Sequence, residues 1–123
     1  MSDWQQLQAR LPLLDQSRLM RLEQELGAEV QARLLALFVE DGQQQGSALR
    51  QAFADEDYAL MARYCHSLKS ACGSYGALRC QFLSEKLERA CRELDTDRIA
   101  SMMVVWQQAL AATLDEMAER LQR

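Results

Sequence analysis

The chain has 123 residues, of which 49% are hydrophobic and only one is proline, so it is long enough for one globular domain (1–123) and is not a disordered chain. Its net charge of −4 argues against a nucleic-acid-binding protein. The most apolar stretch, near residues 99–112, contains two glutamines and is too short to span a membrane.

Helical periodicity begins in the N-terminal half. A first block extends from Asp15 to Leu26 and ends at Gly27, a residue type that commonly terminates helices. A second block extends from Ala28 to Ala54. Its predicted apolar face comprises Val30, Leu34, Leu37, Phe38, Leu49 and Phe53.

Three further blocks follow, with apolar residues at alternating steps of three and four. The third begins near Asp55 to Asp57, where acidic residues suit a helix N-terminus, and Gly76 separates it from the fourth. Its apolar positions are Tyr58, Met61, Cys65, Leu68, Cys72 and Tyr75. Those of the fourth are Cys80, Leu83, Leu87, Ala90 and Leu94. After the turn at 95–97, those of the fifth are Ile99, Met103, Trp106, Leu110, Met117 and Leu121.

Four long amphipathic blocks joined by short turns predict an all-α fold. The expected architecture is an antiparallel four-helix bundle, with the first block as an additional short N-terminal helix. The segment from Leu60 to Arg92 carries a net charge of +4, whereas the rest of the chain carries −8. Such a segment favours an acidic or phosphorylated partner, although its cations could equally be spread around the helices.

The four cysteines (Cys65, Cys72, Cys80 and Cys91) contain no CxxC pair and fit no zinc-finger spacing. The N-terminus has no apolar run typical of a signal peptide. These features predict a cytoplasmic protein whose cysteines are reduced core residues.

His66 is the single histidine, so any imidazole chemistry must occur there. On a helix it lies off the apolar seam of Cys65 and Leu68. The residues within about 60° of it on the helix face are Ala59, Ala62, Arg63, Lys69, Ser70 and Gly73. Four of these are small, which would let a partner's backbone approach the imidazole. Tight packing against a neighbouring helix would explain the same residues.

No carboxylate occupies a helical neighbour position of His66, whereas Arg63 and Lys69 do. Nearby cations disfavour imidazolium and favour the neutral ring, whose lone pair can attack phosphorus. Lys69 could then neutralise the charge of a phosphoryl group. The neighbourhood therefore suits an anion that arrives and leaves.

The segment from His66 to Leu78 resembles the signature of the histidine-containing phosphotransfer (HPt) domain family: His-x-Leu-Lys-Gly, then small residues, then Gly-Ala. Leu87-Glu88 stands where that family has a Leu-Glu pair, and 34–41 resembles the preceding helix. One departure is Ser70, where glycine is frequent. The resemblance covers most of the chain, from about Asp15 to the C-terminus.

This resemblance implies that His66 is the phosphoacceptor, through Nε2, and that Lys69 stabilises the phosphoryl group. Gly73 and Gly76 would provide steric room and a helix end. The implied partners are receiver domains of response regulators or hybrid sensor kinases, which would bring Mg²⁺, so the chain would need no cofactor of its own. The resemblance implies a monomeric, stand-alone carrier. It would have no kinase activity, since the sequence contains no Gly-rich nucleotide loop.

Two alternatives stay open. A helical adaptor could bind a receiver or kinase without phosphotransfer, leaving His66 without chemistry. A zinc site on Cys65, His66, Cys72 and Cys80 is disfavoured, because adjacent helical residues point about 100° apart. A hydrolase is less favoured still, because the sequence contains no arrangement of nucleophile, base and acid.

Overall fold

The computed structural model describes residues 3–122, and these form six helices and no strand. The helices are α1 (Asp3–Arg10), α2 (Gln16–Leu26), α3 (Ala28–Ala54), α4 (Tyr58–Ser74), α5 (Leu78–Arg92) and α6 (Thr96–Leu121). The all-α prediction is confirmed.

Aspartates begin three of the helices. Asp15, Asp57 and Asp95 precede α2, α4 and α6, and each side chain accepts a hydrogen bond from the backbone N–H three residues later. Such caps satisfy amide groups that have no partner inside the helix. The predicted starts of these helices therefore agree with the structure to within about three residues.

Helices α3 to α6 form the predicted four-helix bundle. Helix α4 packs on α3 and α5, and α6 packs on the same two helices from the other side, so the ring is closed. The core includes Trp106, whose indole Nε1 donates to the Ser84 hydroxyl at 3.1 Å. This bond satisfies two buried polar groups between α5 and α6.

Helix α1 was not predicted, so two short helices precede the bundle instead of one. It contacts α5, and Trp4 is its only buried residue. Just after it, Arg79 Nε donates to the Leu11 carbonyl oxygen at 2.9 Å. With one buried residue among eight, α1 offers no apolar repeat to a periodicity argument.

The apolar face predicted for the start of α3 is right at Phe38, which is buried, and wrong at Val30 and Leu37. Val30 and Leu37 are 40% and 55% exposed, and the buried side chains there are Gln31, Leu35 and Phe38. Gln31 Nε2 donates to the Leu19 carbonyl oxygen at 2.6 Å, which ties α3 to α2. A polar residue therefore takes a core position because it satisfies a backbone acceptor of α2.

Leu94 also departs from the predicted seam. It is 65% exposed and has φ 55°, so it belongs to the turn after α5 and not to the core. No helix within residues 3–122 has the length and apolarity needed to cross a membrane.

The turn between α4 and α5 is held by the segment that starts α2. Gly76 has φ +73°, a left-handed conformation that favours glycine. Its carbonyl oxygen accepts from the Asp15 N–H at 2.7 Å, and Arg18 Nε donates to the Ser74 carbonyl oxygen at 3.2 Å. This turn sets the antiparallel register of α4 and α5, and therefore which residues of α5 face His66.

Candidate functional site

His66 lies on the solvent side of α4. Cys65 and Leu68 on the same helix are buried in the core, whereas the His66 side chain is 61% exposed. The core seam rotates His66 outward because consecutive helical residues differ by about 100°. The imidazole is therefore accessible to a large partner, as the sequence predicted.

A carboxylate from α5 contacts the ring. Glu88 Oε2 lies 3.3 Å from His66 Nδ1, and the Glu88 side chain is only 11% exposed. The expectation that His66 has no neighbouring acid was therefore wrong. It considered only neighbours along α4, whereas Glu88 reaches His66 across the helix interface.

Two cations hold the same carboxylate. Lys69 Nζ lies 3.3 Å from Glu88 Oε1, and Arg92 donates to Oε2 through Nε at 3.0 Å and through its terminal nitrogen at 2.8 Å. We call His66, Lys69, Glu88 and Arg92 the Glu88 cluster. Lys69 is thus held beside the imidazole by an ion pair with Glu88.

The cluster keeps Glu88 ionised. Burial, the largest single influence, raises the Glu88 pKa, but hydrogen bonds from Arg92 and Lys69 and the nearby charges of Lys69 and His66 outweigh it. The net result is a pKa below the ordinary value of 4.5. At neutral pH the ring therefore faces a carboxylate that can accept a proton but cannot donate one.

The contact with Glu88 distinguishes the two ring nitrogens of His66. A neutral imidazole carries one N–H, and a carboxylate 3.3 Å from Nδ1 favours the proton on that nitrogen. The unprotonated nitrogen is then Nε2, across the ring from the carboxylate. The arrangement presents a nucleophilic lone pair on an exposed side chain and orients the ring through its other nitrogen.

The residues predicted to form a docking face around His66 fall into different environments. Ala59, Arg63 and Ser70 are exposed on the His66 side of α4. Ala62 is 2% exposed and belongs to the core. It contributes packing and no accessible surface.

The two glycines of this set also face other parts of the chain. A Cβ on Gly73 would lie 2.9 Å from Gln81 Nε2, so Gly73 makes room for a side chain of α5. Gly76 is buried, and a Cβ there would lie 3.2 Å from the Asp15 carbonyl oxygen. The left-handed backbone and the nearby Asp15 carbonyl account for glycine at position 76, whereas at Gly73 only the movable end of Gln81 is close.

A groove of about 190 Å³ lies between α3 and α4 on the opposite side of His66 from Glu88. We call it the α3–α4 groove. Its apolar lining includes Leu34, Leu37, Phe38, Leu68, Ala71 and Tyr75. Ser67, the residue after His66, lines it as well, so the groove extends to the turn of α4 that carries His66. Sequence reasoning missed this feature because it assigned Leu34 and Leu37 to the core.

The four cysteines are free and buried. Burial raises the pKa of Cys65 well above its ordinary value and that of Cys91 to about 11, so both thiols are protonated at neutral pH. Within residues 3–122, no three His, Cys, Asp or Glu side chains are arranged to hold a metal ion. The buried thiol of Cys65 and the exposed ring of His66 point in different directions. A zinc site would require both to face the same ion, so this geometry argues against the zinc alternative.

The sequence did contain a signal for Glu88. In an antiparallel pair, residues at similar distances from the turn face each other, and Gly76 lies ten residues after His66 and twelve before Glu88. The Leu87-Glu88 pair also matched the expected family pattern. Together, these two observations bring Glu88 to about the level of His66, although they do not fix the rotation of α5 that turns the carboxylate toward the ring.

Comparisons with known proteins agree with this architecture. The Hpt domain family matches residues 33–123. The crystal structure of histidine-containing phosphotransfer protein B (HptB) from Pseudomonas aeruginosa PAO1 matches with a TM-score of 0.85 and 23% sequence identity, covering 91% of this chain and 96% of that chain. No curated protein sequence matches. At this identity the structural likeness shows a common fold, and the family match, which spans most of the chain, shows that this protein belongs to the Hpt domain family of histidine phosphotransfer carriers.

Proposed function

We propose that this protein accepts a phosphoryl group on His66 Nε2 from the aspartate of one receiver domain and transfers it to the aspartate of another. Family membership supports the role of carrier in a phosphorelay. His66 is the single histidine of the chain. The observation that carries the proposal is an exposed His66 ring whose Nδ1 contacts a buried carboxylate.

In the transfer step, the Nε2 lone pair attacks the phosphorus of the receiver's aspartyl phosphate. An N–P bond forms, the P–O bond to the aspartate breaks, and the aspartate leaves as a carboxylate. The His66 ring retains its Nδ1 proton and becomes cationic, and Glu88 stabilises that charge as it develops. The return reaction reverses these steps on a second receiver.

Lys69 and Glu88 have separate tasks in this proposal. Lys69 neutralises part of the phosphoryl charge, for which its ammonium can turn from Glu88 toward the new phosphate. Glu88 acts as a positioning residue that fixes the tautomer and angle of the ring. Arg92 remains on Glu88 and keeps the carboxylate charged when Lys69 moves.

The proposed partners are receiver domains of response regulators or hybrid sensor kinases. The Mg²⁺ needed for phosphoryl chemistry would belong to the receiver, whose acidic residues would bind it. We propose that the carrier acts as a cytoplasmic monomer without kinase activity of its own. Ala59, Arg63 and Ser70 lie where a receiver covering His66 would contact the chain.

Substitution of His66 tests the site. Purified receivers would be phosphorylated with a small phosphoryl donor and mixed with the wild-type chain or with His66→Gln. We expect an acid-labile, base-stable phosphoryl group on the wild type and none on His66→Gln. Because His66 is exposed, the variant should unfold at the same temperature as the wild type. Phosphorylation of a folded His66→Gln protein would refute the assignment.

A further inference from the structure

Two polar groups in the α3–α4 groove have no partner within residues 3–122. Gln45 Oε1 is buried without a hydrogen-bond donor. Asp41 is four residues earlier on α3, lines the same groove and is exposed, with no ion pair. Residues four apart share a helix face, so both groups border one site. A buried acceptor without a hydrogen bond is destabilising, so a donor from outside the chain would stabilise it.

Both groups can only accept hydrogen bonds, while most of the groove is apolar. The complementary ligand therefore has a hydrocarbon stem and a cationic head with N–H donors. The volume of about 190 Å³ is below the roughly 300–1,000 Å³ typical of small-molecule pockets. It suits one long side chain better than a metabolite.

We propose that the α3–α4 groove is a specificity site that receives one arginine or lysine side chain of the partner receiver. Its stem packs on Leu37 and Phe38, and its head bonds the Asp41 carboxylate and Gln45 Oε1. This inference rests on the proposed function, since it assumes that a receiver covers His66. Ser67 connects the groove to His66, so one partner can contact both.

The same groups provide selectivity between receivers. A receiver with an acidic residue at this position would face Asp41 and be repelled. One with a leucine would fill the apolar part but leave Gln45 Oε1 without a donor. A long cationic side chain satisfies the apolar lining, the Asp41 carboxylate and Gln45 Oε1 together.

The test uses a receiver identified by transfer to or from His66 in a screen of purified receivers. Its dissociation constant would be measured for the wild type, Asp41→Lys and Gln45→Met. Glu40→Lys is the matched control, because Glu40 is exposed on α3 but does not line the groove. Phosphorylation of His66 by phosphoramidate, which needs no docking, reports whether each variant keeps its chemistry.

We expect the dissociation constant to rise on the order of tenfold for Gln45→Met and further for Asp41→Lys. Glu40→Lys should bind like the wild type, and all variants should react with phosphoramidate. Replacing the responsible receiver arginine or lysine by methionine should remove most of the effect of Asp41→Lys. Equal dissociation constants for Asp41→Lys and Glu40→Lys would overturn this inference but not the proposed function. The same holds if no arginine or lysine of the receiver is energetically coupled to Asp41. If no receiver exchanges phosphoryl groups with His66, the proposed function fails as well.

Discussion

At the scale of single residues, Glu88 is the group from another helix that contacts the His66 ring. It is a nearly buried carboxylate that contacts the ring on one oxygen and Lys69 on the other, while Arg92 compensates its charge. A buried charge is tolerated only when it is paired and hydrogen-bonded, and this one has three partners. The same contacts keep a charged carboxylate beside the His66 ring.

Replacing Glu88 by glutamine should slow phosphotransfer without abolishing it. The amide can still contact Nδ1, but it does not stabilise the cationic ring, so we expect the transfer rate to fall by about 10- to 100-fold. Rapid-quench measurements at several pH values would check this, because the change should also alter the pH profile of the rate. An unchanged rate and profile would show that Glu88 does not position the ring.

Glu88 should also contribute to stability in a pH-dependent way. Because folding holds its pKa below the ordinary value of 4.5, the unfolded chain takes up this proton first as the pH falls. The contribution is therefore complete above about pH 5 and is lost as the pH falls through the lower folded value. Urea titrations should show Glu88→Gln destabilised by about 1–3 kcal/mol at pH 7, with the difference shrinking below pH 4.5. A difference that grew at acid pH would contradict the cluster geometry.

At the scale of elements, the α4–α5 turn fixes the site. The left-handed Gly76 ends α4, and the bonds from Asp15 and Arg18 hold the turn against α2. Since Glu88 and His66 lie on different helices, their distance depends on the register this turn sets. The N-terminal segment, remote from the imidazole, thus supports the site.

The same substitution at two glycines should have opposite effects on stability. Gly76→Ala should destabilise by about 1–2 kcal/mol, since alanine is strained at φ +73° and its Cβ would lie 3.2 Å from the Asp15 carbonyl oxygen. Gly73→Ala lies within α4 and meets only the movable end of Gln81, so it should be neutral or stabilising by up to about 1 kcal/mol. Chemical denaturation would measure the free energy of unfolding of both variants against that of the wild type. Destabilisation of equal size at both positions would show that the left-handed turn is not the cause.

At the scale of the whole molecule, charge is unevenly distributed. The segment 60–92 has a net charge of +4 within a chain of net charge −4. The structure assigns some of these cations to internal contacts, since Arg79 binds the Leu11 carbonyl oxygen and Arg92 binds Glu88. Arg63 stays exposed on the His66 side of α4. The surface around His66 therefore keeps cationic character suited to an acidic partner.

Association with a receiver should consequently depend on salt. Raising the ionic strength from about 0.05 to about 0.5 M shortens the screening distance, so the association rate should fall several-fold. Stopped-flow measurements on the wild type and on Arg63→Glu would test this, with the variant binding more slowly and with a weaker salt dependence. Identical salt dependence in both proteins would exclude Arg63 from the encounter surface.

Local patterns were sufficient to predict most of the fold. Asp57, Gly76 and the seam of Met61, Cys65 and Leu68 predicted the limits and the buried face of α4, because caps, turns and helical periodicity depend on neighbouring residues. Helix α1 could not be predicted in the same way, since Trp4 is its one buried residue.

His66 and its exposure followed from the sequence by itself, since a seam on one face of a helix directs the remaining residues outward. The contact between Glu88 and His66, the pairing of Lys69 with Glu88 and the groove beside Leu37 were decided only by the tertiary structure. These features join residues of different helices, and their distances depend on helix register and rotation. Register and rotation come from the packing of the whole bundle, which no local pattern encodes.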